Sequence, residues 1–364
     1  MKAYINNYEL RCNAGDVKAL MSAIYEKKSA LVESEDYIKD ATAGLGIMQY
    51  GTIYEVLDEV VASVLKNSNL NTYENTLLIL GSSVGGMQEC EVIFNREKNY
   101  LNINPNRYSM NALTEYLAEK FKFYDTRAIS TACTSSANAL LLAKRLLHVG
   151  AYENILVVGA DGICNSTVQG FHALGVLSSK KCKPFDVDRD GMNVAEAVAA
   201  LLLQGIKTEN SIELKGVGAS SDAYHMTNPN PEGIGAMESM NRALMDAQLQ
   251  PCDVDYINAH GTATLANDRV EALAIEKIFS KETVVNSTKA ITGHTLGAAG
   301  AVEAIVCCEV IKQEKIPPQT NLKEQENQNI TLLQETKMQK VNNVLSNSFA
   351  FGGNNTSLVF GVAK

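Results

Sequence analysis

Two short, uninterrupted apolar runs constrain this chain most. They are Leu77-Leu78-Ile79-Leu80, which leads into Gly81, and Ile155-Leu156-Val157-Val158, which leads into Gly159-Ala160. Each is too short for a packed helix and too continuous for a strand with one wet face. Both therefore predict strands buried on both sides. Between and around them the apolar period changes to that of a helix: Val56, Leu57, Val60, Val61, Val64 and Leu65 share one face, and residues 110–121 read the same way. Buried strands alternating with helices imply an α/β protein with a largely parallel sheet covered on both faces.

The plan then repeats. Residues 2–10 predict a first strand, 14–25 a helix, and 193–204 a strand that closes a first half over 1–205. From 206 to 364 the pattern is strand 212–217, helix 234–247, strands at 255–258 and 284–287, helix 298–313, and a terminal hairpin of 343–347 with 356–361. With 364 residues the chain can bury one large core or two intimately packed ones.

Composition excludes several functions. A net charge of −9 argues against nucleic acid as a partner. No apolar run is long enough to span a membrane and residues 1–5 do not resemble a signal peptide, so a cytoplasmic address is expected. The eight cysteines show no CxxC or zinc spacing and are expected to be reduced. No metal cluster is expected, and Gly81-Ser82-Ser83-Val84-Gly85-Gly86 lacks the lysine of a phosphate cradle, so it reads as a tight turn. No cofactor is expected.

The chemistry centres on Ile129-Ser130-Thr131-Ala132-Cys133-Thr134-Ser135-Ser136. A strand ending near 129 and a buried helix closed by Gly150 place Cys133 at a strand-to-helix turn. Free backbone N–H groups and the positive helix end converge there, which favours a thiolate and can hold an oxyanion. A buried structural cysteine is the alternative.

Three later stretches shift the balance: Asn258-Ala259-His260-Gly261-Thr262-Ala263-Thr264, Ser287-Thr288-Lys289-Ala290-Ile291-Thr292-Gly293-His294, and Asn347-Ser348-Phe349-Ala350-Phe351-Gly352-Gly353-Asn354. With Thr131-Ala132-Cys133 they resemble the β-ketoacyl-acyl-carrier-protein synthases, the elongating condensing enzymes of fatty acid and polyketide assembly. The likeness also takes in Lys183-Pro184-Phe185-Asp186-Val187-Asp188 and Ser220-Ser221-Asp222-Ala223-Tyr224-His225-Met226-Thr227, and runs from about Leu77 to the end. It implies a thiolase-like fold of two similar halves in αβαβα layers. The first half would carry the nucleophile, the second the two histidines and the Phe-Gly-Gly loop.

The resemblance also assigns roles. Cys133 would carry the acyl group, and a thiolate suits thioester exchange. His260 and His294 would donate N–H to the enolate formed when a malonyl thioester loses CO2. The amides of Cys133 and Phe351 would form a second oxyanion hole. Lys289 would orient this network with Glu303 as counter-ion, although an ordinary salt bridge explains the pair as well. Thr262 and Thr264 would hydrogen-bond the carrier's pantetheine arm, or simply cap the next helix. Phe171, in a loop, and Phe349 would line the acyl pocket. Phe351 would gate the cysteine, with core packing as its alternative. His148, His172 and His225 read as structural.

The implied partner is a malonyl- or acyl-loaded acyl carrier protein, with the chain itself a homodimer or paired with a paralogous ketosynthase. Arg96, Lys98 and Arg107, on a polar stretch over 95–107, form a basic cluster that could dock the acidic carrier or merely be solvated.

Departures include Ala350 in place of a glycine and Ala195-Glu196-Ala197-Val198 in place of Gly-Glu-Gly-Ala. An opening strand without the family's usual Val-Thr-Gly signature and a short segment between Phe171 and Pro184 point to a divergent synthase of a dedicated pathway such as polyene synthesis. A non-catalytic chain-length-factor-like subunit is the runner-up, but such subunits typically lack the cysteine. A thiolase would want a second catalytic cysteine near the C-terminus, and none follows Cys308.

Overall fold

The computed structural model describes residues 1–49, 51–70, 72–73 and 75–363. Among them, eleven strands form one hydrogen-bonded sheet. The first half contributes β1 (Tyr4–Cys12), β2 (Thr76–Gly81), β3 (Asp125–Ile129), β4 (Asn154–Asp161) and β5 (Ala197–Gln204). The second contributes β6 (Ile212–Ser221), β7 (Tyr256–Asn258), β8 (Val284–Asn286), β9 (Thr331–Leu332), β10 (Asn343–Phe349) and β11 (Asn354–Val362).

The spatial order is β9-β8-β7-β10-β11-β6-β1-β5-β4-β2-β3. Numbered within its half, each set runs 3-2-4-5-1, and β9 adds an edge strand to the second. In both halves the 3-2-4 neighbours are parallel, and strand 5 is antiparallel to its neighbours on either side. The halves join where β1 meets β6 through two residue pairs, Tyr4 with Glu213 and Ile5 with Ile212.

The two half-sheets enclose a pair of helices, Ser135–His148 and Ala299–Gln313, each following strand 3 of its half. Apolar residues circle the second of these, which therefore has no wet face and is buried along most of its length. The helices cross closely: a Cβ on Gly300 would sit 2.7 Å from that of Ala137, so only glycine fits. Helix Ile53–Lys66 covers the outer face of the first half, and Ile234–Ala247 that of the second. This gives the αβαβα layering. Both runs singled out in the sequence, Leu77–Leu80 and Ile155–Val158, are wholly buried in strands β2 and β4.

Several expected boundaries move. The stretch 193–204 is two strands, Val194–Ala195 and β5, parted at Glu196. The Glu196 carboxylate turns aside to accept from the amides of Met48 and Ile163. The supposed loop over 95–107 begins inside helix Met87–Glu97, and Phe171 lies on helix Asn165–Ala173 rather than in a loop. No helix among the described residues is long and apolar enough to cross a membrane.

Candidate active site

All the turns that carry candidate chemistry leave the carboxyl ends of strands. Cys133 follows β3, and its turn is strained: Ala132 takes φ +53°, a left-handed conformation costly for a residue with a Cβ. Two hydroxyls hold it there, since the Ala132 carbonyl accepts from Ser135 Oγ at 2.6 Å and Ser83 Oγ at 2.9 Å. Helix Ser135–His148 starts immediately afterwards, which leaves the Cys133 amide free of helical pairing.

His260 follows β7. The carboxylate of Glu271, one helix later, accepts from the His260 amide at 2.8 Å and the Gly261 amide at 2.7 Å, and so fixes that turn. His294 follows β8 and is held by strand Val194–Ala195: its amide donates to Asn193 at 2.6 Å, and its carbonyl accepts from Ala195 at 2.9 Å. Gly293 precedes it with φ +78°, and a Cβ there would meet Ala195 and Asn193 within 3.0 Å. Glycine is required at that position.

These placements bring the two imidazoles to 5.1 Å between centroids, nearly perpendicular, beside the thiol. Cys133, His260 and His294 all line one cavity of about 260 Å³. Both rings are buried, and burial, reinforced by the charge of Lys289, holds each well below the ordinary histidine value of 6.5. Both are therefore neutral near pH 7. Nδ1 of His260 and both ring nitrogens of His294 have no hydrogen-bond partner among the described residues. A neutral imidazole has one N–H to donate, and an unpaired one beside a cavity suits a developing oxyanion.

The thiol departs from expectation. Instead of favouring the thiolate, the turn buries Cys133 so completely that its pKa rises to about 11. Desolvation outweighs three opposing effects: the Lys289 charge, the Phe351 amide and the Cys133 amide. Those last two are the donors expected of a second oxyanion hole, and both act on the same sulfur.

Lys289 and Glu303 form a buried ion pair, and Oε2 of Glu303 has no hydrogen-bond partner among the described residues. Burial raises the Glu303 pKa, against the pull of Lys289. This pair gives a stability prediction. Glu303→Ala strands an ammonium in the core and should cost about 3–5 kcal/mol in denaturant unfolding. Glu303→Gln keeps one acceptor and should cost less. Equal losses for both would show that the ammonium finds another partner.

The flanking residues gather as well. Thr262, Thr264, Phe171, Phe349 and Phe351 all line the cavity. Thr264 also caps helix Leu265–Ile278 through the Asn267 amide, and its hydroxyl lies 2.9 Å from that of Thr262. Phe349 packs 6.0 Å from His260, and Phe351 6.0 Å from Phe171. Phe351 is only partly buried, and the next two residues, Gly352 and Gly353, have φ +86° and +79°. Ala350 is not left-handed, so alanine fits without strain.

His225 sits at the cavity mouth, where its Nδ1 accepts from the Thr227 and Asn228 amides, a local structural bond. His172, beside Phe171, does not line the cavity. The basic cluster is weaker than its sequence implies: Arg107 pairs with Glu89 at 3.0 Å and lies over the Tyr54 ring, and Arg96 pairs with Glu97 at 2.9 Å. Lys98 is the left-handed cap of helix Met87–Glu97. Sequence reading missed Glu271, which holds amides 10 and 11 residues earlier, and Asp161, whose partners come from distant segments. The only signal for Asp161 was an acid ending an apolar run.

Family profiles agree with this arrangement. The β-ketoacyl synthase N-terminal domain matches residues 12–208, and the C-terminal domain of the same family matches 212–323. The chain belongs to the β-ketoacyl synthases. It is thus an acyltransferase-type condensing enzyme.

Among its relatives, 3-oxoacyl-[acyl-carrier-protein] synthase 2 of Coxiella burnetii is 34% identical over 310 residues, covering 77% of this chain and 73% of that protein. The enzyme of the same name from Staphylococcus aureus is 31% identical over 354 residues, covering 90% and 87%. Among solved structures, the ketosynthase ApeO in complex with its chain length factor ApeC, from Xenorhabdus doucetiae, superposes with a TM-score of 0.91 at 32% identity, covering 100% and 98%. A type II polyketide ketosynthase solved with its acyl-carrier protein shares the fold, with a TM-score of 0.86 at 23% identity.

Proposed function

We propose that this ketosynthase performs a decarboxylative Claisen condensation between an acyl group carried on Cys133 and malonyl-acyl carrier protein. The observation that carries this reading is one cavity containing a buried thiol under two amides and two neutral imidazoles with unused nitrogens.

In the first step the Cys133 sulfur attacks the acyl carbonyl, and the carrier's thiol leaves with a proton. The amides of Cys133 and Phe351 hold the oxyanion in between. In the second step the malonyl C–C bond breaks, CO2 departs, and the electron pair becomes an enolate that His260 and His294 stabilise. The enolate carbon then attacks the acyl-Cys133 carbonyl, and the sulfur leaves. The raised thiol pKa is consistent with a resting site that reacts only once a thioester is seated. A soft nucleophile is released again as readily as it adds, which two successive transfers require.

Acyl carrier protein as partner, and pairing with a second copy or a paralogue, belong to the same proposal; a ketosynthase–chain length factor complex is a close structural relative. Against a non-catalytic reading stand the thiol, both imidazoles and the Lys289 charge, all present at one site. Intact-mass measurement after incubation with acyl carrier proteins, followed by malonyl-carrier protein, tests the reading. One acyl adduct should appear and then discharge as β-ketoacyl product. Absence of any adduct across a broad acyl panel would overturn it.

A gate role for Phe351 is part of this proposal. Its ring is only partly buried, lines the cavity and lies 6.0 Å from the Phe171 ring, so Phe351→Ala should leave the melting temperature nearly unchanged while altering the order or selectivity of acyl loading. An early-melting variant with unchanged selectivity would make Phe351 core packing, with a loss of about 3–5 kcal/mol.

A further inference from the structure

Asp161 ends β4 as a wholly buried carboxylate, with no ion pair to a cation among the described residues. Among the described residues, every hydrogen bond to it comes from a donor group. One oxygen accepts from the Ser82 hydroxyl, the Ser83 amide at 3.0 Å and the Val84 amide at 2.8 Å. The other accepts from Ser83 at 3.0 Å and from the Gly297 amide at 2.6 Å. An array made only of donors selects the ionised form, although burial raises the Asp161 pKa.

The two arms of this hub reach the two chemistry-bearing turns. Ser83, whose amide donates to both oxygens, gives its hydroxyl to the Ala132 carbonyl, beside Cys133. Gly297, on the other arm, lies three residues after His294 and next to Leu296, a second left-handed non-glycine residue at φ +52°. Both turns are thus strained, and one carboxylate ties them together. Counting from the register-matched pairs Gly81–Gly159 and Asn258–Ser346, Ser83 falls where His260 falls in the other half. The first half uses that position to brace rather than to react.

We infer that Asp161 is a positioning residue that sets the distance between acyl-Cys133 and the enolate held at His294. The inference rests on the condensing reading given above. Loading Cys133 needs only the thiol side, and decarboxylation only the imidazoles. Carbon–carbon bond formation needs both in register, and a misplacement of an ångström there is worth on the order of a hundredfold in rate.

Two substitutions cut the arms separately. Asp161→Asn can keep one oxygen for the Ser82–Val84 donors but turns an NH2 group against the Gly297 amide. Ser83→Ala removes only the bond to Ala132. Three rates are then measured on each folded variant: acyl transfer to Cys133, malonyl-carrier protein decarboxylation, and complete condensation.

Condensation should fall on the order of a hundredfold, and each half-reaction by no more than about threefold. With Asp161→Asn the acyl transfer should hold or quicken, because the Asp161 charge disfavours the thiolate. Condensation falling only in proportion to the half-reactions in both variants would overturn the inference, as would early melting with uniform loss in Ser83→Ala. A wild-type protein that does not condense would overturn the condensing reading itself; variants matching a wild type that does would overturn this inference alone.

Discussion

Cys133→Ala is expected to end acyl loading altogether while the protein continues to decarboxylate malonyl-carrier protein. Of the thiol and hydroxyl side chains between Ser130 and Ser135, that of Cys133 lines the cavity, and the amides of Cys133 and Phe351 have no thioester to polarise without it. The imidazoles stand on separate turns after β7 and β8, held by Glu271 and by Asn193 and Ala195, and none of these contacts involves the thiol. Intact mass should show no adduct, and CO2 release should persist. A persistent adduct would move the nucleophile to another residue. Loss of CO2 release with an unchanged melting temperature would show that thiol and imidazoles act as one unit.

His294→Ala should have the converse effect. Acylation of Cys133 should survive, and decarboxylation and condensation should fall on the order of a hundredfold or more for the lost donor. Because both imidazoles are held far below 6.5, they stay neutral as pH falls from 8 toward 6.5, so wild-type decarboxylation should be flat across that range.

The sign on stability follows. Below 6.5 the unfolded chain takes up protons that the folded histidines refuse, so stability declines as pH drops, by about 1.4 kcal/mol per unit for each histidine until its folded pKa is reached. His294→Ala should show a shallower decline than wild type in melting experiments over pH 5.5 to 6.5. An activity step near pH 6.5 would mean that the rings titrate freely. Lost acylation with decarboxylation intact would reverse the assigned roles.

Which of these expectations were legible beforehand depends on the range of the forces involved. The strands of 77–80 and 155–158 and the helix that buries Cys307 and Cys308 were legible because side-chain period and apolar content are local. The terminal hairpin formed as expected, β10 against β11. Phe171 was misplaced because helix Asn165–Ala173 contains a glycine and few strong helix formers, and its first turn is capped instead by Glu91, more than seventy residues earlier. Arg96 and Arg107 are paired with Glu97 and Glu89, acids on a helix that the polar composition concealed.

The sequence by itself determined the order and kind of the elements, and through its motifs the candidate set Cys133, His260, Lys289, His294, Glu303 and Phe351. Tertiary structure alone decided the electrostatic state of that set. The turn that should favour a thiolate instead raises the Cys133 pKa to about 11, because desolvation depends on everything packed around the sulfur and not on the helix that follows it. The same reason hides Asp161: its donors come from residues 77 to 136 positions away, and no local pattern records what a fold will bring to a buried carboxylate.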